Sequence, residues 1–263
     1  MSSKINELLD IMARLRDPQS GCPWDLKQTY ATIVPYTLEE AYEVAEAIEK
    51  GDLEHLKDEL GDLLFQVVFY AQIAREEKRF TFDEVVESIC EKMIRRHPHV
   101  FSDLDVVDEG EVKSNWEKIK QAEREQKNAK KTASLIDGVN EALPALSRAK
   151  KLQKRAANIG FDWPDHTGVV EKLREELAEV EEAIESGDAA HIEEEVGDLL
   201  FVAVNLANHV KIDAEAALRK ANRKFERRFR CMEEIASEAN TSLTDMDLAG
   251  LDGLWNQAKK RLD

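Results

Sequence analysis

Two glutamates three residues apart, a Gly-Asp step, then a glutamate and an aspartate three apart stand at Glu40, Glu43, Glu59 and Asp62. The same set returns at Glu176, Glu179, Glu195 and Asp198. Residues three apart on a helix share a face, so each pair projects its carboxylates together. Between the pairs, Gly51 and Gly187 suit a left-handed helix end, and Asp52 and Asp188 suit the cap of the next helix. The two helices of each set are therefore expected to fold back antiparallel, and the facing pairs to converge. Four gathered carboxylates repel by about 1 kcal/mol per pair at 4 Å in water and about 4 kcal/mol at an effective dielectric of 20. The Asp-Leu-Leu-Phe run after each second pair argues for the more buried, costlier case, so a cation or raised pKa values must compensate. All-oxygen ligation without His or Cys suits Mg²⁺, with Mn²⁺ as a substitute, and leaves coordination positions for water and phosphate. Such an ion neutralises phosphate charge and activates a water nucleophile. One acidic pair is usually a solvated face; an identical set repeated in register beside apolar residues points the other way.

A cationic counterpart accompanies each set. Lys224 and Arg228 are four apart on one helical face, as are Lys92 and Arg96, so each copy can aim two cations at phosphate oxygens. A basic helical face on its own is more often a surface ion-pair stripe. Trp116 and Trp255 sit on the final helix of each copy and suit either stacking on a base or plain packing. His55 and His191, three residues after the capping aspartates, raise a di-iron carboxylate alternative. It is weak, because a histidine at the top of a hairpin is expected to lie one to two turns from the ExxD face. His97 and His99 flank Pro98 at a helix stop, where a structural role is expected.

These residues need an all-helical scaffold, and the chain supplies the pattern for one. Apolar residues recur at three and four positions nearly throughout, with few Gly and Pro to interrupt them. The pattern predicts helices near 3–16, 37–50, 52–77, 81–97, 111–131, 141–157, 168–186, 188–209, 213–238 and 249–262. Two irregular loops are expected at 17–36 and 160–168, each carrying a Trp. Sliding the chain along itself by 136 residues lays 39–72 over 175–208 without a gap, with 19 of 34 positions identical. The match extends outward: Gly21 and Trp24 answer Gly160 and Trp163, and Trp116 answers Trp255. Two tandem helical-bundle domains are expected, 1–131 and 141–263, joined by a polar linker at 132–140.

Composition narrows the function. With 54 acidic against 37 basic residues and a net charge of −17, the chain is a poor match for nucleic-acid backbone. Cys22, Cys90 and Cys231 are odd in number and not in metal-ligand spacing, which fits reduced thiols of the cytoplasm. The N-terminus lacks a secretion signal, and the most apolar stretch, 63–71, is about half the length needed to cross a bilayer.

The strings GCPWD at 21–25, YTLEEAYE at 36–43, ELGDLLFQVVFYAQ at 59–72, RRHPHVF at 95–101, GFDW at 160–163, EEVGDLLF at 194–201 and KFERRF at 224–229 strongly resemble the MazG nucleoside triphosphate pyrophosphohydrolases. The resemblance covers essentially the full length. It implies an all-α pyrophosphohydrolase fold, usually a homodimer. The implied reaction is Mg²⁺-dependent cleavage of NTP or dNTP to the monophosphate and diphosphate, with broad tolerance and a role in clearing or adjusting nucleotide pools. Carried over by position, the metal ligands are Glu176, Glu179, Glu195 and Asp198, with Glu175 beside them as a water-orienting base. Nucleotide contacts fall on Lys172, Glu194, Lys224, Arg227, Arg228 and Trp255. In such two-domain proteins the C-terminal copy is held to be active, but here the first copy keeps every carboxylate and both cations. Two alternatives remain: a regulatory module that holds nucleotide and metal without turnover, and a narrow dUTP-type pyrophosphohydrolase.

Overall fold

The computed structural model describes residues 4–101, 108, 110–112, 115, 116, 119, 123 and 134–262. The described residues contain helices and turns but no strand, so the all-α expectation holds. The chain forms two compact units, Met1–Ala129 and Lys130–Asp263. Most of the helix expected over 111–131, and the start of the linker, lie outside the described residues.

The first unit runs α1 (Lys4–Leu15), α2 (Tyr30–Lys50), α3 (Leu53–Glu76), α4 (Phe82–Arg96) and the single turn α5 (Pro98–Phe101). The second runs α6 (Ala145–Ala157), α7 (His166–Ser186), α8 (Ala189–His209), α9 (Ala214–Glu238) and α10 (Leu248–Leu262). In each, the dominant packing is the expected hairpin, α2 on α3 and α7 on α8. Its corner is built as read: Gly51 and Gly187 both adopt φ +72°, where an L side chain is strained. Asp52 then accepts the His55 N–H and Asp188 the Ala190 N–H. A Gly187→Ala substitution is expected to cost about 1 kcal/mol by denaturant titration, since no contact compensates the left-handed backbone.

Three helix boundaries differ from the pattern. The segment 17–36 is only partly loop, because α2 begins at Tyr30, seven residues early. Thr29 and Thr32 satisfy each other's backbone N–H groups there, and Pro35 lies inside the helix. The box uses Thr at its third position instead of Glu or Gln, so its signal is muted, and Pro35 reads as a breaker although it removes only one backbone donor. Asp165 caps α7 through the Thr167 N–H, starting that helix two residues early. At α6 the shift is the other way, because Pro144 stands at the N-cap and residues 141–143 stay outside the helix.

The loop before α2 is pinned by a buried cation. Arg16, 8% exposed, is bidentate to Glu76 at 2.6 and 2.9 Å and donates to the carbonyls of Asp25 and Gln28. It lies against the Phe69 ring, within the core of Met12, Ile33, Val68, Phe69 and Ile73. Replacing Arg16 by Met removes the cation paired with Glu76 and one donor from each of the Asp25 and Gln28 carbonyls, so the first unit should lose roughly 2–3 kcal/mol of stability in urea titrations. The second unit's core gathers Cys231, Met232, Ala236, Leu254 and Ala258, where α9 packs on α10.

Candidate active site

The hairpins bring the facing glutamates together. One carboxylate oxygen from each of Glu176, Glu179 and Glu195 lies within 4.8 Å of the others, and Glu40, Glu43 and Glu59 repeat the trio in the first unit. Asp198 and Asp62, expected as fourth members, are exposed and outside these trios. Each sits nearly a turn further along its helix on a side chain one methylene shorter. Asp62 still acts through space, adding to the larger effect of burial in raising the pKa of Glu40 and, more weakly, of Glu59.

Glu176 is the deepest ligand candidate, 4% exposed, and its Oε2 is buried without a hydrogen-bond partner. An octahedral Mg²⁺ spans about 4.2 Å between opposite oxygens, close to the spread of each trio. Three convergent carboxylates, one of them with a buried oxygen that has no partner, fit a divalent cation.

The two copies relieve carboxylate repulsion differently. In the second, Lys172 Nζ lies 2.6 Å from Glu175 Oε1, 2.9 Å from Glu176 Oε1 and 3.8 Å from Glu179 Oε2. The hydrogen bond to Glu175, then that to Glu176, pushes the ammonium pKa up from its ordinary value. Tyr36 holds the matching position in the first copy. Gln66 instead donates to Glu40 at 3.4 Å, where the second copy has Val202. Burial, then the neighbouring carboxylates Asp62, Glu43 and Glu59, raises the Glu40 pKa; burial and then Glu43 raises that of Glu59. Burial also raises Glu179, against the Lys172 charge.

These upward shifts fix a pH dependence. Above the ordinary glutamate value of 4.5, the folded chain holds more protons at these sites than the unfolded chain. Their contribution to stability is therefore present at low pH and lost as pH rises through the raised values. Glu76 is the opposite case: against the pull of burial, hydrogen bonds from Arg16 and Gln72 hold its pKa down, so its contribution is lost as pH falls. A divalent ion competes with the protons, so Mn²⁺ affinity by calorimetry should strengthen from about pH 5 to about pH 7.5.

Sequence reasoning missed one pair of neighbours. His191 Nε2 is 3.2 Å from Glu195 Oε1, and His55 Nδ1 is 3.2 Å from Glu59 Oε1. The histidines thus touch the carboxylate sites and do not stand one to two turns away. Their spacing four before the glutamate puts both on one helical face and was the signal available. His97 takes the expected structural role, with Nδ1 2.7 Å from the Met93 carbonyl.

The cationic helices also diverge. Arg95 and Arg96 both pair with Glu123, at 2.7 and 2.6 Å, and these two partners hold the Glu123 carboxyl down at about 2. In the second unit Lys224 and Arg227 are exposed, and half-buried Arg228 lies 5.8 Å over the Trp255 ring. Trp255 packs beside Phe225 at 5.3 Å and on the α9–α10 core. Glu194 is exposed on α8. Two groupings result: Lys172, Glu175, Glu176, Glu179 and Glu195 on the hairpin, and Arg228, Phe225 and Trp255 on α9 and α10.

Paired antiparallel helices with convergent glutamates, present twice, define an all-α carboxylate-site protein. The MazG nucleotide pyrophosphohydrolase domain matches residues 28–101 and 165–231. The chain is 52% identical over 261 residues to a nucleoside triphosphate pyrophosphohydrolase of Escherichia coli K12, covering 98% of each chain. It is 47% identical over 253 residues to the nucleoside triphosphate pyrophosphohydrolase/pyrophosphatase MazG of Thermotoga maritima, covering 96% of this chain and 94% of that one. A solved mazG-related protein from Thermotoga maritima aligns over 44% of this chain at 30% identity with a TM-score of 0.38. The chain belongs to the MazG nucleotide pyrophosphohydrolase family.

Proposed function

We propose that the protein is a Mg²⁺-dependent nucleoside triphosphate pyrophosphohydrolase, converting NTP or dNTP and water to the monophosphate and diphosphate, with the reaction run in the second unit. The observation that carries this reading is the Glu176, Glu179 and Glu195 trio with its buried, unpartnered Glu176 oxygen. These three, joined by Asp198, would hold the ion, with Mn²⁺ as a substitute. When bound, such an ion neutralises phosphate charge and makes water a better nucleophile.

The chain's own groups do the rest. Glu175, exposed and hydrogen-bonded by Lys172 at 2.6 Å, would orient a water and take its proton. The water oxygen forms a bond to the α-phosphorus while the α–β anhydride bond breaks and diphosphate leaves. Lys224, Arg227 and Arg228 supply charge for the departing diphosphate. Lys172 and Glu194 flank the phosphates, and Trp255 offers a ring to the nucleoside. Broad tolerance of the base and a role in clearing nucleotide pools are part of this reading, and a panel of triphosphates tests the first.

The domains 1–131 and 141–263 joined by 132–140 agree with the register of the repeat. Exposed apolar side chains on the second hairpin, Leu177, Ile184, Val196, Leu200 and Phe201, support a homodimer through that face, testable by analytical ultracentrifugation. No described helix is long and apolar enough to cross a membrane, and the free thiols support a cytoplasmic location. Chromatography of products from ATP and Mg²⁺ tests the chemistry: AMP with diphosphate is expected, whereas ADP with phosphate, or no product, overturns it.

A further inference from the structure

The duplication exposes a second polar site in one copy only. In the first unit Phe69 and Ile73 are core residues of α3, 1% and 4% exposed. The matching positions 136 residues on are Asn205 and His209. Asn205 is 7% exposed; its amide N donates to Asp162 Oδ1 at 3.3 Å, while its Oδ1 is buried without a partner. His209 Nε2 lies 3.1 Å from the same Asp162 oxygen, which also accepts the Trp163 backbone N–H at 2.9 Å. Against the upward pull of burial, the bonds from His209, Asn205 and Trp163 hold the Asp162 pKa below its ordinary value. Pro23 matches Asp162 in the first copy. A buried amide with an orphaned acceptor is costly where a phenyl ring would pack, and such local conflicts concentrate at binding sites.

Position ties this group to the carboxylates. Glu195, Asp198, Val202, Asn205 and His209 recur at three and four residues, one stripe of α8. Asn205 lies seven residues beyond Asp198, about 10 Å along the axis, roughly the reach of a nucleoside from its α-phosphate. Trp163, 39% exposed, closes against the start of α7. Gly168 permits this, since a Cβ there would stand 2.4 Å from the Trp163 ring.

We propose that Asn205, set by Asp162 and His209, is the nucleoside end of the second unit's site. Its buried Oδ1 accepts a hydrogen bond from the substrate nucleoside, either a sugar hydroxyl or a base N–H. This rests on the triphosphate reading above, and it explains a division of labour: Phe69 and Ile73 fill the corresponding space in the first copy.

The test compares full-length wild type with Asn205→Leu by calorimetry, using Mn²⁺, inorganic tripolyphosphate and the non-hydrolysable α,β-methylene analogue of ATP. A loss on the order of tenfold is expected for the nucleotide alone, with Mn²⁺ and tripolyphosphate unchanged. Unaltered nucleotide affinity, as when Asn205 Oδ1 holds only a water, overturns the proposal. So does an equal loss for tripolyphosphate, which marks a merely structural residue. A second measurement needs no variant: wild type is titrated with the 2′-deoxy, 3′-deoxy and 6-deamino forms of the analogue. One of these should bind about tenfold more weakly and so name the donor; equal affinity for all three overturns the proposal. Wild type that binds neither nucleotide nor tripolyphosphate removes the hydrolysis reading as well, which separates the two failures.

Discussion

Glu179→Gln is expected to lower diphosphate release from ATP by roughly 10³-fold, while Glu43→Gln changes it less than about twofold. The first figure corresponds to about 4 kcal/mol of lost transition-state stabilisation, the scale of removing one anionic ligand from a catalytic metal site. The amide keeps the shape and hydrogen-bonding reach of Glu179 but not its charge, so folding should survive. The asymmetry follows from the surroundings of the two trios, which are alike in their glutamates. In the first unit Tyr36 replaces Lys172, and Phe69 stands where Asn205 is found. Steady-state assays of both variants decide the matter; full activity in both would remove the carboxylate trios from the mechanism altogether.

Lys172→Met should move two measurements in opposite directions. Its ammonium sits within 3.8 Å of three carboxylates, so its charge competes with that of a divalent ion at the same group of glutamates. Opposite charges at 4 Å attract by about 4 kcal/mol at an effective dielectric of 20. Lys172 is 30% exposed and Glu175 58%, so solvent screening reduces the net effect to on the order of 1 kcal/mol. Removing the ammonium should thus strengthen Mn²⁺ binding in the absence of nucleotide by about fivefold. The same change removes a cation freed for substrate phosphate, a charge-assisted contact, and kcat/KM should fall roughly 10- to 100-fold. Lys172→Arg should largely preserve both values. If metal binding weakens in the Met variant, Lys172 supports the site instead of competing for it.

Much of this was legible before any fold was known. The hairpin corner follows from Gly187 and Asp188, because only a left-handed backbone and an oxygen-bearing cap end one helix and begin another so abruptly. The convergence of Glu176, Glu179 and Glu195 follows from spacing, since helical periodicity alone puts three-apart residues on one face. Two helical units follow from the register of the repeat. The start of α2 was not legible, because a Thr–Thr box and an internal proline offset each other as local signals.

What the sequence determined by itself was therefore the inventory, which carboxylates share a face and that the whole arrangement occurs twice, because these depend on local backbone geometry. Only the tertiary structure decided how each copy neutralises its charge. Whether an amide or a proton sits among the glutamates depends on side chains meeting across helices and on burial. Lys172 and His191 meet their glutamates along a single helix, whereas Gln66 reaches Glu40, Arg96 reaches Glu123, and Asn205, its Oδ1 unpartnered, takes the place of Phe69 through contacts between elements.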